Sequence, residues 1–140
     1  MTKGLKTLQK LREMELDGLR RELAVFYQEV DAIEAKEREL SQQLVDEQIY
    51  LTRLEGMTSY AMFAQSAREW QNTLAQQKVE VEAKITSKMM QISAAFEALK
   101  TVQIAQEKAD MSHAAKRDKA EQDAADEAAL TQYARQNAHS

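Results

Sequence analysis

Apolar residues recur at alternating steps of three and four positions along the first part of the chain. Between residues 16 and 54 the series consists of Leu16, Leu19, Leu23, Phe26, Val30, Ile33, Leu40, Leu44, Leu51 and Leu54, with Glu37 and Glu47 in the two remaining places. This spacing is typical of the seam of a coiled coil, the stripe along which one long helix packs on another. Upstream, Leu5, Leu8, Arg12 and Leu16 are spaced three, four and four, so we predict one slip of the heptad near Arg12.

A second series with the same spacing begins shortly after Gly56. It consists of Tyr60, Phe63, Ala67, Trp70, Leu74, Lys78, Val81, Ile85, Lys88, Ile92, Ala95, Leu99 and Val102. The two series mirror each other, because residues can be matched so that their numbers add up to 114 or 115. This symmetry predicts that the chain reverses and that two antiparallel helices pack along the seam. Gly56 can adopt the positive φ that ends a helix, and Thr58 or Ser59 can cap the next one.

Polar residues within the seam follow the same rule. Glu37 is matched with Lys78, which predicts a buried or half-buried ion pair. Such a pair costs desolvation, but it disfavours other registers of the two helices. The rule also places Trp70 in the seam against Leu44, with part of its indole ring at the edge.

These patterns predict an all-α fold, a long two-helix antiparallel coiled-coil hairpin with an extended C-terminal helical tail. We expect the hairpin to cover residues 1–111, with arms at about 3–54 and 59–111 and a turn near 55–58. Residues 112–140 have no counterpart in the first arm, and they are rich in alanine and in charges of both signs. This tail either awaits another molecule or remains a solvated extension, and its composition supports both interpretations equally.

The amino-acid composition of the chain disfavours several classes of function. The chain has 140 residues, of which 30% are charged and 6% aromatic, and it has no cysteine, no proline and a net charge of −4. Such usage is typical of long helices, and the net charge disfavours binding to nucleic acid. No apolar run of about 18 residues is present, so we expect a soluble, cytoplasmic protein without direct membrane insertion.

No pattern in the sequence predicts catalysis. His113 and His139 are far apart, Asp123, Asp126 and Glu127 lack the turning glycine of a calcium loop, and no phosphate-binding loop occurs. We therefore expect no enzyme activity, no cofactor and no metal site. What remains is binding, for which Tyr50 and Met62 could form an apolar patch near the reversal; alternatively, Tyr50 merely lies along its own helix.

With these residues in view, the chain resembles the FliJ family, coiled-coil proteins of the bacterial flagellar type III export apparatus. The resemblance spans nearly the whole chain, and its most characteristic parts are the segment from Tyr60 to Gln77 and the pair Asp126-Glu127 with the following alanines and Arg135. It implies a nonenzymatic protein that inserts the end carrying both termini into a hexameric export ATPase. It also implies contact with the cytoplasmic domain of the membrane export gate and escort of export chaperones.

Carried onto this sequence, the resemblance implies two binding surfaces. The ATPase-facing end would consist of Leu5, Leu8, Leu11, Arg12, Ala109, Lys116 and Arg117. The surface for the export gate and other partners would consist of Tyr50, Met62, Trp70 and Gln77. The protein would then work in the cytoplasm, peripherally associated with the inner-membrane export apparatus. Two other hypotheses remain: a stalk of a virulence-type injectisome, and a general coiled-coil chaperone or structural adaptor.

Overall fold

Two long α-helices make up the fold. The structure, a computed structural model, describes residues 2–54 and 57–138, with side chains at 3–50, 53 and 60–138. Helix α1 is Thr2–Leu54 and helix α2 is Met57–Ala138. The helices pack against each other, so the predicted all-α helical hairpin is confirmed. Gly56, the capping side chains of Thr58 and Ser59 and the seam side chains of Leu51 and Leu54 lie outside the described residues.

Threonine hydroxyls within helix α2 bond to carbonyl groups of the same helix. Thr73 donates to the carbonyl of Glu69 and Thr101 to that of Glu97, each spanning one turn. Such bonds satisfy the hydroxyl without drawing the backbone into another conformation. Over the described residues, neither helix has a stretch both long and apolar enough to cross a membrane.

The chain divides into two compact units. One contains Glu15–Ala95, and the other contains Met1–Met14 together with Phe96–Ser140. Each unit therefore takes part of α1 and part of α2. We call them the central unit and the terminal unit, and describe them separately.

The core of the central unit is a narrow apolar seam. Leu40, Ala67 and Leu74 are buried, and Ile33 and Leu44 pack against them. Removing a side chain such as Leu74 from water contributes roughly 1.5–3 kcal/mol. From Ala64 onward, the less exposed positions of α2 advance by steps of three and four without interruption: Ala64, Ala67, Gln71, Leu74, Lys78, Val81, Ile85, Lys88, Ile92 and Ala95.

Trp70 is not part of this seam, and the prediction that it packs against Leu44 is wrong. Its side chain is 60% exposed, whereas Gln71 is half-buried. One residue corresponds to a rotation of about 100° around a helix, so only one of these neighbours can face α1. The apolar indole suggested position 70, but regular alternation from Ala67 to Leu74 requires position 71.

The shortest ion pairs across the seam favour a register offset from the predicted one. Lys88 contacts Glu22 and Lys78 lies closest to Glu34, and the numbers of these partners add up to 110 and 112, while the longer contact of Lys78 with Glu37 has the predicted sum of 115. Every inward position of α1 in the central unit faces an inward position of α2 when the numbers of the two facing residues add up to 111. The matching places Leu44 opposite Ala67, as expected for an antiparallel coiled coil in which every layer has the same offset.

In the terminal unit the less exposed positions are more polar. On α1 they are Leu5, Gln9 and Arg12, spaced by four and three residues, while Leu8 is 37% exposed. The predicted slip near Arg12 is therefore wrong, because Gln9 occupies the place that the apolar Leu8 suggested. On α2 they include Leu99, Val102, Gln103, Gln106 and Ala109.

Beyond these positions α2 continues as an exposed helix. It passes residue 112 without a break, and all described residues from 115 to 138 are exposed. We call residues 112–138 the tail helix. Its helical state fits its alanine content, since alanine has the highest helix propensity of all residues.

The register predicts different costs for two neighbouring truncations on α2. Leu74→Ala removes a buried seam side chain and should lower the free energy of unfolding by about 2–4 kcal/mol. Trp70→Ala, although it removes a larger side chain, should cost less than about 1 kcal/mol because the indole is mostly solvated. Urea titration followed by circular dichroism measures both. A loss for Trp70→Ala as large as that for Leu74→Ala would contradict the assignment of position 71 to the seam.

Candidate partner-binding surfaces

Lys78 lies within the seam and is held by two carboxylates of α1. Its Nζ is 3.2 Å from Oε1 of Glu34 and 3.9 Å from Oε1 of Glu37. All three side chains are between 30% and 39% exposed. The hydrogen bond to Glu34 is the main cause that raises the pKa of Lys78 above its ordinary value of 10.5, and partial desolvation opposes it.

The predicted pair of Glu37 with Lys78 is thus present, but Glu34 is the closer partner. Oε1 of Glu37 is shielded from solvent and accepts no hydrogen bond from the described residues. Sequence reasoning missed Glu34 because it considered only seam positions, whereas a lysine side chain can reach a carboxylate beside the facing layer. In the observed register that layer contains Ile33, the immediate neighbour of Glu34.

A second seam lysine repeats this arrangement. The side chain of Lys88 is only 16% exposed, and its ammonium contacts Glu22 and donates to Oε1 of Gln91 at 3.1 Å. Its layer in the observed register contains Leu23, again the neighbour of the carboxylate. The two lysines therefore provide two charged layers that fix the same register.

A groove beside the seam brings two predicted partner residues together. Trp70 and Gln77 line it with the seam residues Leu40 and Leu74, and it has a volume of about 300 Å³. Helix α1 adds the polar side chains of Lys36, Glu39 and Gln43 to the lining. An exposed indole above an aliphatic floor is the kind of site at which protein partners gain most of their affinity.

The other two predicted partner residues lie elsewhere in the central unit. Tyr50 is 60% exposed and lines a shallow groove with Asp46, Ile49 and Arg53, all of them on α1. This setting agrees with the simpler interpretation that Tyr50 lies along its own helix. Met62 is 70% exposed on α2.

The residues predicted to face an ATPase all belong to the terminal unit. Leu5, Arg12 and Ala109 are half-buried, while Leu8 and Leu11 are 37% and 52% exposed. Lys116 and Arg117 are exposed at the start of the tail helix. The unit thus exposes leucines on α1 and basic side chains at the start of the tail helix.

Comparison of the chain with protein-family models, with curated proteins and with solved structures finds no match. Within residues 2–54 and 57–138, no group of three or more His, Asp or Glu side chains is arranged to hold a metal ion. The function must therefore be argued from the helices, their exposed side chains and the family resemblance.

Replacing Lys78 should destabilise the hairpin in a pH-dependent way. Lys78→Met leaves Glu34 and Glu37 as like charges without their shared cation, so the melting temperature should fall at neutral pH. Because folding raises the pKa of Lys78, its stabilisation is complete below the unfolded-state pKa and disappears as the pH rises through the folded-state pKa. The difference between the variant and the parent chain should therefore shrink above about pH 10.5.

Thermal melts from pH 7 to 11.5 measure this difference. The matched variant Lys84→Met removes an exposed lysine from the same helix and should change the melting temperature little at any pH. A difference between Lys78→Met and the parent that stays constant across this range would show that packing, and not charge, accounts for the effect.

Proposed function

We propose that this chain is a nonenzymatic component of the flagellar type III protein export apparatus. In this role it inserts as a stalk into the hexameric export ATPase, contacts the cytoplasmic domain of the membrane export gate and escorts export chaperones. The site of action is the cytoplasm, at the periphery of the inner-membrane export apparatus. The supporting arguments are the resemblance to the FliJ family and the form of the terminal unit.

The observation that carries the proposal is an exposed tail helix that continues from a coiled-coil seam. A helix whose described residues are solvated from 115 to 138 has side chains free to enter a partner. The same unit exposes Leu8 and Leu11 on α1. Together they offer apolar contacts and the basic groups of Lys116 and Arg117, a combination suited to a ring lined with apolar and acidic side chains.

The second surface in the proposal is the groove at Trp70. Tryptophan is enriched among residues that dominate protein interfaces, and this one has its polar neighbour Gln77 in the same groove. We assign the contact with the export gate to this groove, and we assign further partner contacts to Tyr50 and Met62, which lie elsewhere in the central unit. Trp70 contributes little to the seam, so its side chain is available to a partner.

The proposal predicts that the purified chain stimulates ATP hydrolysis by the hexameric export ATPase of its own organism. Leu11→Asp places a charge among the exposed leucines of the terminal unit and should reduce the stimulation at least about tenfold, the effect of losing about 1.4 kcal/mol of binding. Steady-state hydrolysis near physiological salt measures this, with circular dichroism to show that the variant remains helical.

Val25→Asp is the matched control. Val25 lies two heptads after Leu11 on the same face of α1, is 51% exposed and belongs to the central unit. It should leave stimulation unchanged. If the folded parent chain neither stimulates nor binds the export ATPase, the stalk proposal is contradicted.

The same assay separates the alternatives. Stimulation of an injectisome ATPase in preference to the flagellar enzyme would assign the chain to the virulence-type system. The exposed methionines Met62, Met90 and Met111 are the observation that favours a general chaperone. That function predicts suppression of aggregation of unrelated unfolded proteins, with Leu11→Asp and Val25→Asp equally active.

A further inference from the structure

The tail helix carries a self-complementary row of side chains. At steps of three and four residues, which form one face of a helix, it presents Lys116, Lys119, Asp123, Asp126, Leu130 and Tyr133. Two cations are thus followed by two anions and then by two large apolar groups. All six side chains are exposed in the single chain.

None of these four charged side chains forms an ion pair within the part of the chain that the structure describes, whereas Lys78 and Lys88 of the central unit do. Asp126, Ala129, Leu130 and Tyr133 border a shallow concavity on the same face of the tail helix. The face therefore presents both charge and an apolar surface to solvent.

We propose that a second copy of this chain occupies this face, with the two tail helices antiparallel about a two-fold axis at Glu121. In this register facing residues have numbers that add up to 242. Lys116 then faces Asp126 of the partner subunit, and Lys119 faces the partner's Asp123. Because the interface is two-fold symmetric, each of these charge pairs is made twice.

The remaining layers of this register are compatible with close packing. Leu130 faces the partner's Ser112, which is exposed in the single chain. Beside the charged layers, Ala115 lies against the partner's Ala129, and the small alanine side chains allow the two backbones to approach closely. No like charges face each other across the interface.

Residues that flank the row meet partners whose numbers add up to 240 on one side of the helix and 244 on the other, around the 242 of the facing layers. His113 would lie beside the partner's Glu127, and Gln122 beside the partner's Gln122, where two amides can exchange hydrogen bonds. A parallel arrangement in register would instead set each lysine beside a lysine and each aspartate beside an aspartate. Charge complementarity therefore selects the antiparallel orientation.

The other charges of this segment lie away from the proposed interface. Asp118 and Glu121 lie between members of the row in sequence. Their helical spacing places them on the opposite side of the tail helix. They provide a control, because replacing them alters the net charge without altering the proposed contacts. The proposal does not rest on the proposed function, since a two-fold tail interface requires no export component.

Sedimentation velocity of the full chain, from about 5 to 200 µM, tests the proposal. We expect a monomer–dimer equilibrium near 50 mM salt whose dissociation constant increases at least about tenfold at 0.5 M salt, because exposed charge pairs are screened. A parent chain that stays monomeric to 200 µM at 50 mM salt would overturn the proposal and leave the face to a different partner.

Charge exchange tests whether these four charged side chains form the interface. The chain with Lys116→Asp and Lys119→Asp, and the chain with Asp123→Lys and Asp126→Lys, should each be monomeric, since each would set like charges against each other. An equimolar mixture should form a heterodimer, because every facing pair is then complementary again. Recovery in the mixture also shows that both chains are folded.

The control chain with Asp118→Lys and Glu121→Lys should dimerise within about threefold of the parent affinity. Dimerisation of either charge-exchanged chain alone, or loss of association in the mixture, would overturn the assigned interface. Failure of this test leaves stimulation of an ATPase unaffected as a separate measurement, so the two proposals can fail independently.

Discussion

The regular alternation of three-residue and four-residue steps along both helices is the constraint on which this fold depends. A helix with 3.6 residues per turn keeps one narrow stripe facing its partner only if the inward positions recur in this way. The described part of α2 maintains the alternation from Ala64 to Ala95, and polar residues occupy the required places where apolar ones are absent. Gln71 and Lys78 are inward because of their positions, while Trp70 is outward despite its hydrophobicity.

Charged layers within the seam add register-specific ion pairs to a small apolar core. The apolar cluster around Leu40, Ala67 and Leu74 is small, and seams of similar residues can slide by a heptad at modest cost. Lys78 and Lys88 each find a carboxylate beside the facing layer. A slide by one heptad would separate both lysines from Glu34 and Glu22 and break the ion pairs that the structure shows.

Sequence periodicity was sufficient to predict the helices, the hairpin and the exposed tail helix, because each follows from local spacing. It was insufficient for the register, since positions 70 and 71 both satisfy a three-or-four rule and hydrophobicity favoured the wrong one. The same preference for apolar residues assigned Leu8, and not Gln9, to the seam. The partners Glu34 and Glu22 could not be found from seam positions alone, because the reach of a lysine side chain becomes known only with the offset between the helices.

The functional argument depends on what the seam leaves exposed. Trp70 lies at a groove because regular alternation excludes it from the seam, and the described residues of the tail helix are exposed from 115 to 138. Both surfaces therefore follow from the geometry that stabilises the hairpin. The proposed function agrees with this division, because the seam stabilises the hairpin and the exposed side chains beside it bind partners.

The most direct test of this account is disulfide formation within one chain. Cysteines at Leu44 and Ala67, whose numbers add up to 111, should form an intrachain disulfide under mild oxidation much faster than cysteines at Leu44 and Gln71, because a disulfide requires closely apposed β-carbons. Denaturing gel electrophoresis and mass spectrometry of the linked peptides distinguish intrachain from interchain products. Faster closure of the 44/71 pair would contradict the register, and exclusively interchain products would contradict the hairpin.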